Sequence, residues 1–412
     1  MLKRIAISDL RIGMYINEFC GSWMDHPFWR SQFSLKSEKD LRRILESGMT
    51  ELWIDTSKGL DVDESVHSVS LEEVERETNE RLAKAASHPV SQQVPLEQEY
   101  KRAMNLCIGA RDAVMEMFTD ARMGKALDFE RAEDLVEGIA QSVRRHPDAL
   151  ISLARLKQAN EYTYMHSVAV AALMTSLARE MGLNDEQVRD AGLAGLLHDI
   201  GKMTVPQEVL DKPGKLNDDE FASIRKHPEA GYQILRRAGK VSDAVLDVSL
   251  HHHEKVDGSG YPHHLQGDQI SLLAKMGAVC DVYDAITSAR AYKPGWDPAE
   301  SIRKMAEWRG HFDWDVFQAF VKTVGIYPVG SLVRLESGRL AVVIEQNANA
   351  LMSPKVKVFF SARSKVPIPQ LVIDLSKRSA QDKIVGRESP SAWGFVNFDE
   401  LWAGDHAVRM TQ

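Results

Sequence analysis

The stretch Tyr100–Phe118, YKRAMNLCIGARDAVMEMF, carries its apolar residues at spacings of three and four, the period of a helix with one buried face. AEDLVEGIAQSV at 132–143 repeats the pattern, and from about Glu99 to Val324 the reading is almost wholly helical. The spacing therefore predicts a helical bundle over 99–325. Asn184-x-x-Gln187 and Asn217-x-x-Glu220 read as capping boxes that start two of its helices.

Outward from the bundle the period changes. RIAISDL (4–10) and MYINEF (14–19) read as short strands, SLKSEKDLRRILESG (34–48) as a helix closed by Gly48, and ELWID (51–55) as another strand. A small α/β module over 1–60 follows. Residues 61–98 read as a charged linker, with a helical LEEVERETNERLAKAA and then the breaker-rich SHPVSQQVP. After Tyr327-Pro328 the period becomes two in SLVRL, LAVVIE and KVKVFF, with a turn at Ser337-Gly338. This predicts a C-terminal β module over 326–412, a small barrel or hairpin. The expected class is multidomain and mainly α.

The chain has 412 residues and is 44% hydrophobic, enough for two or three domains with their own cores. Lys and Arg number 51 against 59 Asp and Glu, a net charge of −8 spread along the chain. There is no basic footprint of the kind that tracks a nucleic-acid backbone, so DNA is not an expected partner. Cys20, Cys107 and Cys280 are isolated, which argues against a disulfide framework or a thiolate zinc site and fits a reducing compartment. Asp9 and Arg11 interrupt any signal-peptide core, and no apolar run reaches the roughly 18 residues of a membrane span. The expectation is a cytoplasmic protein with no membrane insertion.

The helical region holds His166, then HDIGK (His198 to Lys202), His227, the run His251-His252-His253-Glu254, and Asp281 in CDVYDAITSARAYK. These are six of the chain's 14 histidines. Taken singly they say little: a core histidine is usually structural, and a histidine run can also end a solvated helix. Together they exceed what packing asks for. Imidazole and carboxylate ligands without thiolate suit first-row divalent ions such as iron or manganese, and zinc less exclusively. An Asp beside a His can bridge two ions while the His binds one, and two ions about 3.5–4 Å apart can clamp an in-line displacement at phosphorus. Metal-dependent phosphoester hydrolysis is the chemistry this pattern favours.

HDIGK, HHHEKVDGSGYP and DVYDAITSARAYK together resemble the HD-GYP family of cyclic-dinucleotide phosphodiesterases, a subgroup of the HD metal-dependent phosphohydrolases, over roughly 155–324. ISDLRIGMYI through TELWIDTSKG resembles the small domain of unknown function that often precedes it. The resemblance implies that His166, His198, Asp199 and Asp281 hold one ion, and that Asp199, His227, His252 and His253 hold the other. His251 matches no ligand position. A third ion in some members uses a Glu four residues before the first ligand His; here that place is Tyr162, with Glu161 about 100° away around a helix, so two ions are expected. The resemblance also implies that Asp199 and Lys202 are catalytic, and that Lys202, Arg290 and Lys293 meet the substrate. Lys202 on spacing alone reads equally as a solvated helix-end lysine. Asp284 and Thr287 are expected to orient ligands or cap a helix.

Gly260, Tyr261 and Pro262 lie in a loop that rims the site and, in the family, is implicated in partner contacts; no chemistry is assigned to it. Lys275 and Ser271 replace an Arg and a Pro usual in the family. The implied substrate is cyclic di-GMP, opened to pGpG, with further cleavage to GMP left open and cyclic GMP-AMP as competitor. The implied role is lowering a second messenger of motility and biofilm formation. Diguanylate cyclases bearing a GGDEF domain, and a second copy of the chain, are the implied protein partners. Two other readings stay open here: a phosphohydrolase of another phosphoester, and a non-catalytic cyclic-dinucleotide sensor or adaptor.

Overall fold

The computed structural model describes residues 1–21, 32–47, 49–63, 68–84, 94–156, 162–210, 212, 214, 216–288, 295–347 and 349–404. The chain divides into two compact units, Met1–Ala83 with Arg303–His311, and Lys84–Ile302 with Phe312–Gln412.

The first unit is built on an antiparallel sheet of β1 (Leu2–Ala6), β2 (Tyr15–Phe19), β3 (Phe33–Ser34), β4 (Glu51–Asp55) and β5 (Val69–Ser70), in the order β3-β2-β4-β1-β5. Ile5, Ile16, Leu52 and Ile54 point inward with Phe19 and Met14, and α1 (Glu38–Leu45) covers them with Ile44. Three details differ from the sequence reading. The strand expected over 4–10 ends at Ala6 and tightens into a 3-10 turn at Ile7–Asp9. The stretch read as linker supplies β5, whose Ser70 and Val69 pair with Lys3 and Arg4, followed by α2 (Leu71–Lys84). A two-residue strand has no periodicity to betray it. The helix expected to close on Gly48 ends at Leu45, and Gly48 lies outside the described residues.

The second unit holds the predicted bundle: α3 (Leu96–Arg122), α4 (Phe129–Arg145), α5 (Pro147–Arg155), α6 (Tyr162–Glu180), α7 (Asp185–Leu197), α8 (Gln207–Leu210), α9 (Asp218–Ile224), α10 (His227–Ala238), α11 (Asp243–His251), α12 (Leu272–Thr287), the start of α13 (Pro298–Glu307), whose residues from Arg303 on belong to the first unit, and α14 (Trp314–Val324). Both expected capping boxes form, Asn184 with Gln187 and Asn217 with Glu220. Helices α6 and α12, and α7 from Ala191 onward, are buried nearly all round and form the centre, which is why these stretches are apolar on almost every side. Gly195 lets α7 approach α6 closely, since a Cβ there would lie 2.8 Å from the Ala171 Cα. No helix among the described residues is long and apolar enough to cross a membrane.

The C-terminal β module is neither a barrel nor a lone hairpin. It is a five-stranded antiparallel sheet of β6 (Leu332–Leu335), β7 (Arg339–Glu345), β8 (Lys355–Ser361), β9 (Val366–Asp374) and β10 (Ile384–Glu388), ordered β10-β6-β7-β8-β9. A last short helix, α15 (Glu400–Ala403), follows it. Two carboxylates, half-buried Asp297 and buried Asp148, tie the sheet to the helices: Asp297 accepts from the Leu332 N–H at 3.0 Å and Asp148 from the Gln346 N–H at 3.1 Å. Burial holds Asp297 at about 6 despite three backbone donors.

Candidate metal centre

HDIGK sits where α7 ends and turns into a 3-10 segment, Ile200–Thr204. Gly201 is there because α10 packs directly on it: a Cβ would lie 1.9 Å from the His227 carbonyl oxygen and 2.4 Å from the Gly231 N. That approach brings His227, the first residue of α10, beside Asp199. His166 comes from α6, His252 and His253 from the end of α11, and Asp281 from α12. All seven residues expected as ligands therefore meet in one place, each 9% exposed or less.

The geometry is that of a carboxylate between two groups. Asp199 Oδ1 lies 3.2 Å from His227 Nε2 and 3.9 Å from His252 Nε2. Its Oδ2 lies 3.3 Å from His198 Nε2 and 3.6 Å from His166 Nε2. Within His166, His198 and Asp199, and within His227, His252 and His253, one donor atom from each residue lies within 4.8 Å of the others. Asp281 reaches both groups, at 2.9 Å from His166 Nε2 and 3.7 Å from His253 Nδ1.

The outer ring nitrogens settle the tautomers. Nδ1 of His198 faces the Gly195 carbonyl at 2.8 Å, that of His227 the Ile224 carbonyl at 2.7 Å, and that of His252 the Val248 and Ser249 carbonyls at 3.0 and 3.1 Å. A carbonyl only accepts, so each Nδ1 carries the proton and each Nε2 turns a lone pair inward. His166 Nδ1 donates likewise to Asp284 at 2.6 Å, so Asp284 orients a ring, as expected of it. Acceptors then face acceptors: His227 Nε2 lies 3.2 Å from His252 Nε2, and His166 Nε2 faces Asp281. Among the described residues, the buried His198 Nε2 and Asp199 Oδ1 have no hydrogen-bond donor. Inward lone pairs on nitrogen and oxygen, without thiolate, fit divalent cations in both groups.

Burial and neighbouring charges keep the lone pairs of His252 and His253 free. Burial, then the neighbouring His198 and His227, pull His252 down to about 3, and burial with His252 holds His253 well below the ordinary histidine value. Burial would raise Asp199, but Lys202 and His198 outweigh it and hold the carboxyl well below the usual range. For Asp281, His166 and His253 outweigh burial in the same direction. Lys202 Nζ donates to Asp199 Oδ2, so this half-buried lysine belongs to the site. Burial lifts the Cys280 thiol well above its ordinary value, which suits an inert core residue.

His251 points away, with Nδ1 2.7 Å from Asp247 and Nε2 2.9 Å from His263 Nδ1. Ser271, where the family usually has Pro, caps α12 through the Ala274 N–H at 3.1 Å, and Lys275 pairs with Asp313 at 2.9 Å. Thr287 turns its hydroxyl onto the Tyr283 carbonyl, within its own helix. Arg290 and Lys293 lie outside the described residues, as does Glu161, while Tyr162 begins α6.

The loop after His253 carries more than the sequence reading gave it. Gly260 passes so close beneath the helix end that a Cβ would lie 2.5 Å from the Glu254 Cα. Tyr261 then stacks on the His253 ring, and a cis peptide joins it to Pro262. Glu254, 2% exposed, accepts from the His263 and Leu265 N–H groups at 2.7 and 3.1 Å and anchors the loop exit. Its signal in the sequence was an acid joined directly to the histidine run, which metal spacing alone did not single out.

A helical HD domain behind a small sheet module is the class that fold and centre define. Residues 2–132 match the domain of unknown function DUF3391, and residues 139–316 match the HD domain. The chain is 59% identical over 405 residues to a Pseudomonas aeruginosa protein named cyclic di-GMP phosphodiesterase, covering 98% of this chain and 96% of that one. It therefore belongs to the HD-GYP family. More distant are a Xanthomonas campestris protein named cyclic di-GMP phosphodiesterase response regulator, 39% identical over 39% of this chain and 43% of that one, and a Vibrio cholerae protein named 3′3′-cGAMP-specific phosphodiesterase 1, 39% identical over 40% of this chain and 38% of that one.

Proposed function

We propose that this chain hydrolyses one phosphodiester of cyclic di-GMP to give linear pGpG. The observation that carries the reading is the division of the Asp199 oxygens between two histidine groups. The name of the 59% identical relative supplies the substrate. In this reading His166, His198, Asp199 and Asp281 hold one ion, and Asp199, His227, His252 and His253 the other. The donor set suits iron or manganese. Two such ions would supply Lewis acidity and water activation at the phosphorus.

The chain's own groups do the rest. Asp199 and Asp281 stay ionised across the physiological range and balance the positive charge of the site. Lys202, already on Asp199, places an ammonium where charge develops on a phosphate oxygen. Arg290 and Lys293, by family resemblance, grip the phosphates or bases, and the Gly260-Tyr261-Pro262 loop forms the rim. The wider proposal is a cytoplasmic enzyme that lowers a motility and biofilm messenger, engages GGDEF-domain cyclases through that loop, and pairs with a second copy of itself.

One experiment tests the reading: chromatography of cyclic di-GMP and cyclic GMP-AMP after incubation with anaerobically purified, iron- or manganese-loaded protein, beside Asp199→Ala. Cyclic di-GMP converted faster, with no product from Asp199→Ala, is the expected result, and late GMP would show a second cut. Faster conversion of cyclic GMP-AMP would replace the substrate, a reading favoured by the Vibrio cholerae relative. Both substrates left intact by fully loaded protein would overturn the enzyme reading.

A further inference from the structure

The rings of the centre are not all held in the same way. His166, His198, His227 and His252 each have an outer nitrogen on a carboxylate or a backbone carbonyl. Such an outer partner is what usually fixes the orientation of a metal-ligating imidazole. His253 has none: among the described residues neither of its ring nitrogens makes a hydrogen bond, and its nearest carboxylate oxygen, on Asp281, is 3.7 Å from Nδ1.

What holds His253 is a ring face. Tyr261 stacks on it with centroids 4.7 Å apart and planes 24° from parallel. Tyr261 is fixed in turn by its own N–H on the His253 carbonyl at 3.2 Å and by the close passage of Gly260, where any side chain would strike the backbone of Glu254 and Lys255. The exposed Arg225 guanidinium also lies over the Tyr261 ring, 4.4 Å from its centroid. Arg225 stands two residues before His227, so the stack joins the segment that carries one histidine of the group to the loop beside another.

We infer that Tyr261 and Arg225 are positioning residues for His253 and, through it, for the ion that His227, His252 and His253 would hold. The inference rests on the two-ion reading above. Tyr261 takes the place of the missing outer hydrogen bond: it sets the ring plane, and Arg225 holds the tyrosine by a cation–π contact. The first group, His166 with His198 and Asp199, does not depend on it.

The test counts ions. Full-length protein is stripped with chelator and titrated with Mn²⁺, and bound metal is read by elemental analysis and electron paramagnetic resonance, with the melting temperature of the stripped protein measured alongside. Two ions per chain with a coupled-pair signal are expected for the parent and for Tyr261→Phe, which keeps the ring. Tyr261→Leu should keep one tight ion, bind the second about 10–100-fold more weakly and show an isolated-ion signal, with the stripped melting temperature unchanged. Arg225→Gln should shift the second ion alone, by less. The inference is overturned if Tyr261→Leu and Arg225→Gln both hold two ions as the parent does, or if the first ion weakens equally. A parent that takes up only one ion would overturn the two-ion reading itself, and this inference with it.

Discussion

A Cβ on Gly201 would lie 1.9 Å from the carbonyl oxygen of His227. The glycine of HDIGK is thus the contact surface on which α10 rests, and the separation of the two histidine groups is set by backbone touching backbone. The oxygen belongs to a helix start and has no flexible side chain that could yield.

Gly201→Ala should accordingly push α10 outward and misplace His227. Overpacking costs about 1–3 kcal/mol, and a clash with backbone belongs at the upper end. Thermal melts should show a clear loss of stability, and metal titration the loss of one ion. An unchanged melt with two ions bound would refute the packing argument.

Asp199→Asn keeps the shape of the side chain and removes the charge that faces both groups. Turnover of cyclic di-GMP should fall by about three orders of magnitude or more, because Lewis-acid stabilisation is worth several kcal/mol and about 1.36 kcal/mol is tenfold. Activity within tenfold of the parent would argue against an Asp199 bridge.

Metal-free protein should be most stable a little above pH 6.5, where two opposed histidine contributions balance. His252 and His253 have folded values far below the ordinary 6.5, so as the pH falls from 6.5 the unfolded chain binds protons that the fold refuses, and stability drops. His198 moves the other way: burial opposes the change, but Asp199 and Asp281 lift its value. Its contribution is complete below 6.5 and is lost as the pH rises through the lifted value. Melting temperatures of chelated protein from pH 5 to 8 check this, and a monotonic rise through that range would contradict it.

Asn184→Ala removes one half of a formed capping box at the start of α7. Loss of such a cap costs about 0.5–2 kcal/mol. Because the helix start lies thirteen residues before His198, the melt should shift while metal stoichiometry and turnover of loaded protein hold. A parallel fall in metal content would show that the cap also supports the centre.

Much of this was legible in the sequence because the signals were local or repeated. Two capping boxes announced two helix starts, the three-to-four period announced the bundle, and the crowd of histidines announced the centre. What escaped depends on approach between distant segments. The two-residue β5 has partners but no pattern, Gly201 matters only because of where α10 lands, and the stack of Tyr261 on His253 is invisible until the loop is folded. Arg290 and Lys293 rest on family resemblance alone.

His198, His227 and His252 each send the outer ring nitrogen to a carbonyl three or four residues earlier on their own stretch of chain. Each of these histidines therefore travels with its own bracket, a single turn of backbone that needs no particular side chain from elsewhere. Such self-contained pieces tolerate heavy rewriting of the surrounding protein, including exchange of whole flanking modules, so long as each turn keeps its shape. For an engineer, these three turns are the parts of the centre best suited to grafting onto another helical scaffold, whereas His253 would have to be moved together with its tyrosine loop.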